Sequence, residues 1–236
     1  TPPTPLPNTD TQERQRGLAV TVQDSLSLGA AWRLVAALRV DHVAQALDNR
    51  RNGQRSTQSP TEASPRLGLA YLASPRWTLF ANAGRSFRAN PGSDAGGRAF
   101  TPETGQALEA GLKWERADRR LGATLTVFDI VKRQVLTSDP VNAGFSVTTG
   151  EVGSRGAELD VAGQLTSHWR LTGSLASYDV QVRRDNTLFV GGPVLNAPSL
   201  NGSVLAMYEG RLPGGQAFGL GGGVTHSSRR LGQAWT

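Results

Sequence analysis

The sequence predicts an all-β chain: an antiparallel up-and-down sheet of about ten strands, part of a larger transmembrane β-barrel. Three observations predict it. Stretches of about 15 residues alternate apolar and polar side chains, whereas ordinary globular strands run about 5–6. The breaks between these stretches alternate short and long, as periplasmic turns and extracellular loops do in such barrels. Four of the five Trp fall beside short breaks.

The pattern is clearest from Gly144 to Asp185. Ala157, Leu159 and Val161 share one parity; Glu158, Asp160 and Gln164 share the other. After the break Thr166-Ser167-His168, Trp169, Leu171 and Leu175 oppose Arg170, Thr172 and Ser174. Side chains alternate faces along a strand, so each segment is a ribbon with one oily and one wet side.

Taken in order, residues 1–12 are Pro/Thr-rich and read as a loop. Arg14–Leu28 and Trp32–Ala46 pair around Gly29-Ala30-Ala31, with Trp32, Leu34, Ala36, Leu38 and Val40 on one parity. That second stretch also suits a helix, and its neighbours decide for a strand. Residues 47–64 form a long polar loop marked by Asn, Gly and Pro. Pro65–Ala73 and Arg76–Arg88 pair around Ser74-Pro75, followed by a loop at 89–104. Gly105–Arg116 and Arg120–Thr137 pair across Ala117-Asp118-Arg119, and 138–144 leads into the hairpin described above. Residues 185–196 are a further loop, and strands at about 198–209 and 216–228 follow around Leu212-Pro213-Gly214-Gly215. The tail LGQAWT carries no terminal-strand signature.

Composition narrows the function classes. The 236 residues suit one large β domain. No run reaches the roughly 18 apolar residues of a membrane helix, and TPPTPLPNTD is not a signal peptide. Without Cys there is no disulfide scaffold or thiolate metal site. The net charge is +6, but Arg residues are scattered singly or in loop-like pairs, which argues against nucleic acid as a partner. His42, His168 and His226 lack metal-ligand spacing. No G-x-S-x-G elbow or phosphate loop is present, and GLGGGV (219–224) lies within a strand pattern. The chain does not read as an enzyme.

Trp32, Trp77 and Trp169 sit just after short breaks and Trp114 just before one. They read as an aromatic girdle at one membrane–water interface, where an indole keeps its body in oil and its N–H wet. An open sheet of about ten strands would leave its edges unsatisfied in lipid, so the chain reads as an arc of a bigger closed barrel.

Several motifs carry a family resemblance. SPRLGLAY (64–71), W-x-L-F-A-N-x-x-R-S-F-R (77–88), F-T-P-E-T-G-x-x-x-E-A-G-L-K (100–113), VFDIVKRQVLTSDP (127–140), GFSVTTGEVGSRGAELDVAG (144–163) and LNAPSLNGSVLAMYE (195–209) resemble, in this order and spacing, the barrel of TonB-dependent siderophore receptors. One departure is Pro198-Ser199-Leu200, where the family usually has a Pro-Arg-His-like step. The family's plug domain, TonB box and final strands are expected to be missing, leaving somewhat under half of a barrel of about 22 strands.

The resemblance implies an outer-membrane protein of a Gram-negative cell, a monomer at full length, set in outer-membrane lipid. It implies a ferric siderophore as ligand, with the iron carried as the chelate and no resident cofactor or metal. It implies energy from the TonB–ExbB–ExbD complex acting through a plug. Ligand contacts are then expected among aromatic and basic residues of the outer rim: Phe87, Arg88, Phe100, Phe145, Tyr178, Arg183, Arg184 and Phe189. Glu109, Glu158 and Asp160 are expected on the lumen wall facing the plug, since lumen polarity is normal for these barrels. The alternatives are a passive porin-like channel with no energy coupling, and a soluble all-β binding module.

Overall fold

The computed structural model describes residues 10–51 and 53–232. Most of the expected N-terminal loop, and the tail from 233 with its Trp235, lie outside these residues. The described chain folds into one antiparallel sheet of eleven strands. They are β1 (Thr11–Leu28), β2 (Trp32–Asn49), β3 (Arg55–Gln58), β4 (Thr61–Ser74), β5 (Trp77–Arg88), β6 (Glu103–Glu115), β7 (Leu121–Ser138), β8 (Ser146–Gln164), β9 (Trp169–Arg184), β10 (Leu200–Arg211) and β11 (Ala217–Ser227). Each long strand pairs with the next in sequence, which is the up-and-down order; β3 alone is off this path, pairing with β2.

Through the middle of the strands the register runs without a shift and carries the alternation with it; bulges interrupt it only toward strand ends, at Leu72/Ser74, Arg133/Val135, Val135/Thr137 and Glu151/Val152. Directly opposed residues share a face. The row Leu34↔Leu69↔Ala81↔Ala110↔Val127↔Ala157 is apolar throughout. So is Leu125↔Leu159↔Leu175. The other parity is wet: Thr124↔Asp160↔Ser174↔Ser203.

Burial is inverted relative to a soluble sheet. Among the described residues few large apolar side chains are buried, and these, Leu47, Phe100, Val131 and Val182, lie in the long-loop halves of their strands or in the adjoining loop. Leu18 (73%), Val22 (69%) and Leu108 (62%) stand exposed within the apolar belt. A water-soluble domain does not leave a contiguous apolar face of this extent uncovered. On β2 the apolar run lasts from Trp32 to Val40. At about 3.4 Å per residue and a tilt of about 40° it rises roughly 20 Å, close to the roughly 25 Å band of a membrane barrel.

One edge of the belt is aromatic. Trp32 lies 4.6 Å from Tyr71 between ring centroids, Trp77 6.4 Å from Trp114, and Trp169 5.3 Å from Tyr208, which meets Phe218 at 5.9 Å. All are on the apolar parity, next to the short turns. The short-turn edge is also cross-linked. Arg116 donates to both Asp118 oxygens and to the Leu165 carbonyl of the neighbouring turn. Gly163 sits there at φ 137°, and a β-carbon on it would lie 2.0 Å from the Arg120 carbonyl oxygen, so only glycine fits.

The opposite edge departs from the sequence reading in two places. The loop expected at 47–64 contains the end of β2, all of β3 and the start of β4. These strand ends lie beyond the belt, where both faces are wet, so they need no alternation and leave no signal. The loop after β9 runs on to Ser199 and lies back along that strand. Val182 and Gly191/Gly192 exchange backbone hydrogen bonds, and the Val194 and Tyr178 amides bond to Val180 and Ser199 carbonyls.

Candidate functional site

The long-loop edge concentrates the side chains that a ligand entering from that side would meet. The loop between β5 and β6 is fixed by a buried polar knot. Asn90, fully buried, donates from Nδ2 to the Thr101 carbonyl at 2.8 Å and to the Gln134 carbonyl at 2.9 Å. Its own carbonyl accepts from Gln45 Nε2 at 3.1 Å. Gln58 Nε2 bonds to the Gln45 side chain and to the Phe100 carbonyl. Gln134 sits at φ 56° in a β7 bulge, and its side chain accepts from Thr104 Oγ1 at 2.8 Å. These Gln and Asn residues were not among the sequence candidates. The Asn90-Pro91 step was the one available hint of a loop anchor.

The loops after β7 and β9 are joined in the same manner. Asn186 Nδ2 donates to Thr137 Oγ1, the Ser138 carbonyl and Thr149 Oγ1. Asp139 and Asp185 cap the two turns. The Asn142 side chain, then the Val141 and Asn142 amides, hold the Asp139 carboxyl below the usual carboxylate range. Burial alone would raise Asp185, but the Leu188 and Thr187 amides outweigh it and lower it. The tips between these anchors are apolar and exposed: Val141 and Phe145 on one loop, Phe189 and Val190 on the other.

The sequence-predicted ligand residues divide by face. Arg88 is on the polar parity and pairs with Glu103 at 3.3 Å; Lys132 reaches the other oxygen of the same carboxylate, also at 3.3 Å. Tyr178 is on that parity too, its hydroxyl bonded to Asn201 Nδ2. Phe100 is buried, its backbone held to Gln58. Phe87 opposes Thr104 on the apolar parity, beyond the belt. Arg183, in the bulge opposite Glu151–Val152, lies over Gly153 and contacts Asp129 at 3.6 Å. Arg184 stands opposite Glu151 with no ion-pair partner among the described residues. Phe145 and Phe189 are exposed at the loop tips. These residues therefore form no single cluster. The rim groups that stay open are Phe145, Arg184 and Phe189.

Below the rim, the polar face carries a trough of about 710 Å³, flanked by Arg33, Arg66, Phe80, Asn82, Glu109 and Lys132. Arg66, Glu109, Glu158 and Asp160 have no ion-pair partner among the described residues. The rings of Phe80 and Phe128 reach over glycines: a β-carbon on Gly111 or Gly156 would approach their Cζ atoms to 2.4 and 2.7 Å. The glycines let the rings lie close to the wall, and at Gly111 this leaves room in the trough that Phe80 flanks.

The family TonB dependent receptor-like, beta-barrel, matches residues 1–235. The chain belongs to this family. Its members are receptors and transporters. The chain is 38% identical over 231 residues to the metal-pseudopaline receptor CntO of Pseudomonas aeruginosa, covering 94% of this chain and 32% of that protein. It is 30% identical over 223 residues to the ferrichrome outer membrane transporter/phage receptor of Escherichia coli K12, covering 91% and 29%. Among solved structures, the ferric preacinetobactin receptor BauA of Acinetobacter baumannii superposes with a TM-score of 0.80 at 20% identity, over 97% of this chain and 34% of that one. The alcaligin receptor FauA of Bordetella pertussis gives 0.75 at 20%, over 93% and 38%. The chain thus spans about a third of the length of its relatives, and the structural likeness speaks for the fold.

Proposed function

We propose that this segment is the barrel wall of an outer-membrane receptor that takes up ferric siderophores or closely related metal chelates, energised through TonB. The observation that carries the reading is its 38% identity, over nearly its whole length, to a receptor for a metal chelate. The geometry supports it. The apolar belt would meet outer-membrane lipid, with Trp32, Trp77, Trp114 and Trp169 at the periplasmic interface. The anchored loops at the opposite edge would form the outer vestibule. Phe145, Phe189 and Arg184 there supply stacking surface and a free guanidinium for an anionic, ring-bearing chelate. Glu109, Glu158 and Asp160 would face a lumen-filling plug, whose cations would complete their pairing. TonB, with ExbB and ExbD, would act on that plug.

The experiment uses cells carrying the full-length receptor under iron limitation. Uptake of iron-55 ferrichrome and of radiometal-loaded pseudopaline is measured with and without TonB, alongside growth rescue by a panel of ferric hydroxamates, catecholates and carboxylates. The expected result is saturable uptake of at least one chelate, lost when TonB is removed. Uptake that persists without TonB would favour a passive channel. Absence of any receptor-dependent uptake would overturn the reading.

A further inference from the structure

The loop after β9 encloses a second space, separate from the trough. It is a pocket of about 380 Å³ at the outer end of the β7–β9 wall. Val135, Val152 and Val182 form its floor, and Leu188, Pro193 and Leu195 of the loop its roof. Val152 and Val182 oppose one another on the polar parity, so the floor faces the barrel interior. The roof is not loose. Backbone hydrogen bonds tie it to Val180 and Val182, and Asn186 ties it to β7 and β8.

We propose that this pocket binds the aliphatic substituent of an anionic metal chelate, with Arg184 at its lip holding the acidic head. The inference deepens the receptor reading and rests on it for the identity of the ligand. Three features support it. Ligand pockets run about 300–1,000 Å³, so this one suits a fragment of a chelate and not the whole. The polar groups at its margin are largely committed: Glu151 pairs with Arg133, and Asp185 caps Thr187 and Leu188. A cavity lined by aliphatic carbon with no free polar partner stays dry and favours an apolar occupant. Arg184 is the exception, a guanidinium at the lip without an acidic partner among the described residues. An apolar hole beside an open cation fits an amphiphilic anion.

The test needs no transport. The chain contains no Cys. In a full-length receptor with any Cys outside this chain replaced by Ser, Val152→Cys, or separately Leu195→Cys on the loop, is then the only thiol. In intact cells the thiol is labelled with butyl methanethiosulfonate or with the charged sulfonatoethyl reagent. The expected result is labelling about tenfold faster by the butyl reagent. Octanoate should slow it at least fivefold and acetate should not, and Arg184→Ala should remove the octanoate protection. No labelling by either reagent would mean that the space is a closed part of the loop's own packing, and would overturn the proposal. Equal effects of octanoate and acetate, or protection unchanged in Arg184→Ala, would overturn it too. A receptor that passes this test yet transports no ferric chelate would overturn the receptor reading and leave the pocket standing.

Discussion

Asn90 Nδ2 donates to the Gln134 carbonyl oxygen at 2.9 Å, joining the loop after β5 to the bulge in β7. The Gln134 carbonyl is available because its residue adopts φ 56°, outside ordinary strand geometry. A non-glycine residue held there needs surrounding structure to fix it, and Asn90 supplies part of that. Replacing Asn90 with Ala leaves the Thr101 and Gln134 carbonyls without this donor. Unmet buried polar groups cost about 1–3 kcal/mol. The expected outcome for Asn90→Ala in the full-length receptor is amide exchange in residues 91–102 faster by tenfold or more, with β9 unaffected. Hydrogen-exchange mass spectrometry checks it, and uniform protection across both regions would contradict it.

Leu159 and Glu158 are neighbours that face opposite ways. Leu159 opposes Leu125 and Leu175 in the belt, and Glu158 opposes Thr126 and Ala176 on the polar face. An Arg on the lipid face near the midplane costs about 2–4 kcal/mol, whereas lumen positions tolerate charge. Leu159→Arg should therefore lower the yield of folded barrel several-fold, while Glu158→Arg should leave it close to wild type. Heat-modifiable migration of the full-length receptor on gels measures the folded fraction. Equal yields would reverse the assignment of faces.

These two cases also mark what the sequence could reveal. Leu159 was legible because membrane burial imposes a strict period of two, and the period fixes face and register together. The Trp positions were legible for a related reason: an interface selects them one by one. Asn90, Gln134 and β3 were not legible. They lie beyond the belt, where water is on both sides and no period is enforced. Their contacts join residues as far apart as Gln45 and Asn90, or Asn90 and Gln134, and local pattern does not encode such pairings. Arg183 shows a finer limit. One inserted residue opposite Glu151–Val152 turns it toward Asp129, and the sequence carries no mark of that bulge.

The short-turn edge should respond to acid. Asp118 is held down to about 2, chiefly by the Arg116 guanidinium and then by the Arg120 amide. Its folded value lies below the ordinary aspartate value of 3.8, so its contribution is present above that value and is lost as pH falls toward 2. The side chain is about half exposed (48%), and the effect is confined to the turn. Amide exchange at residues 116–120, corrected for intrinsic rate, should lose protection between pH 4 and about 2 in the wild type. Asp118→Asn should show the lower protection already at pH 7, with little further change on acidification. A wild-type turn equally protected across this range would contradict the assignment.

Glu109 and Glu158 stand on the polar face of β6 and β8, on either side of Phe128. Two strand spacings and two residues along the strand place them roughly 12 Å apart. Neither has a cation within the described residues, and nearby Lys132 is taken by Glu103. Like Asp160, they are unpaired on a face that carries ion pairs elsewhere, and such carboxylates suit a separate body that brings its own cations. If that body is a plug, Glu109→Gln with Glu158→Gln should leave the barrel folded, because both positions lie on the polar face, away from the apolar belt. Chelate uptake should fall several-fold, and a cysteine introduced into the plug should become more accessible to a charged thiol reagent. Folding yield, uptake and labelling, measured on one preparation of cells, separate the outcomes. Lost folding would assign the pair to the wall's own stability, and unchanged uptake with unchanged labelling would remove it from any contact with a plug.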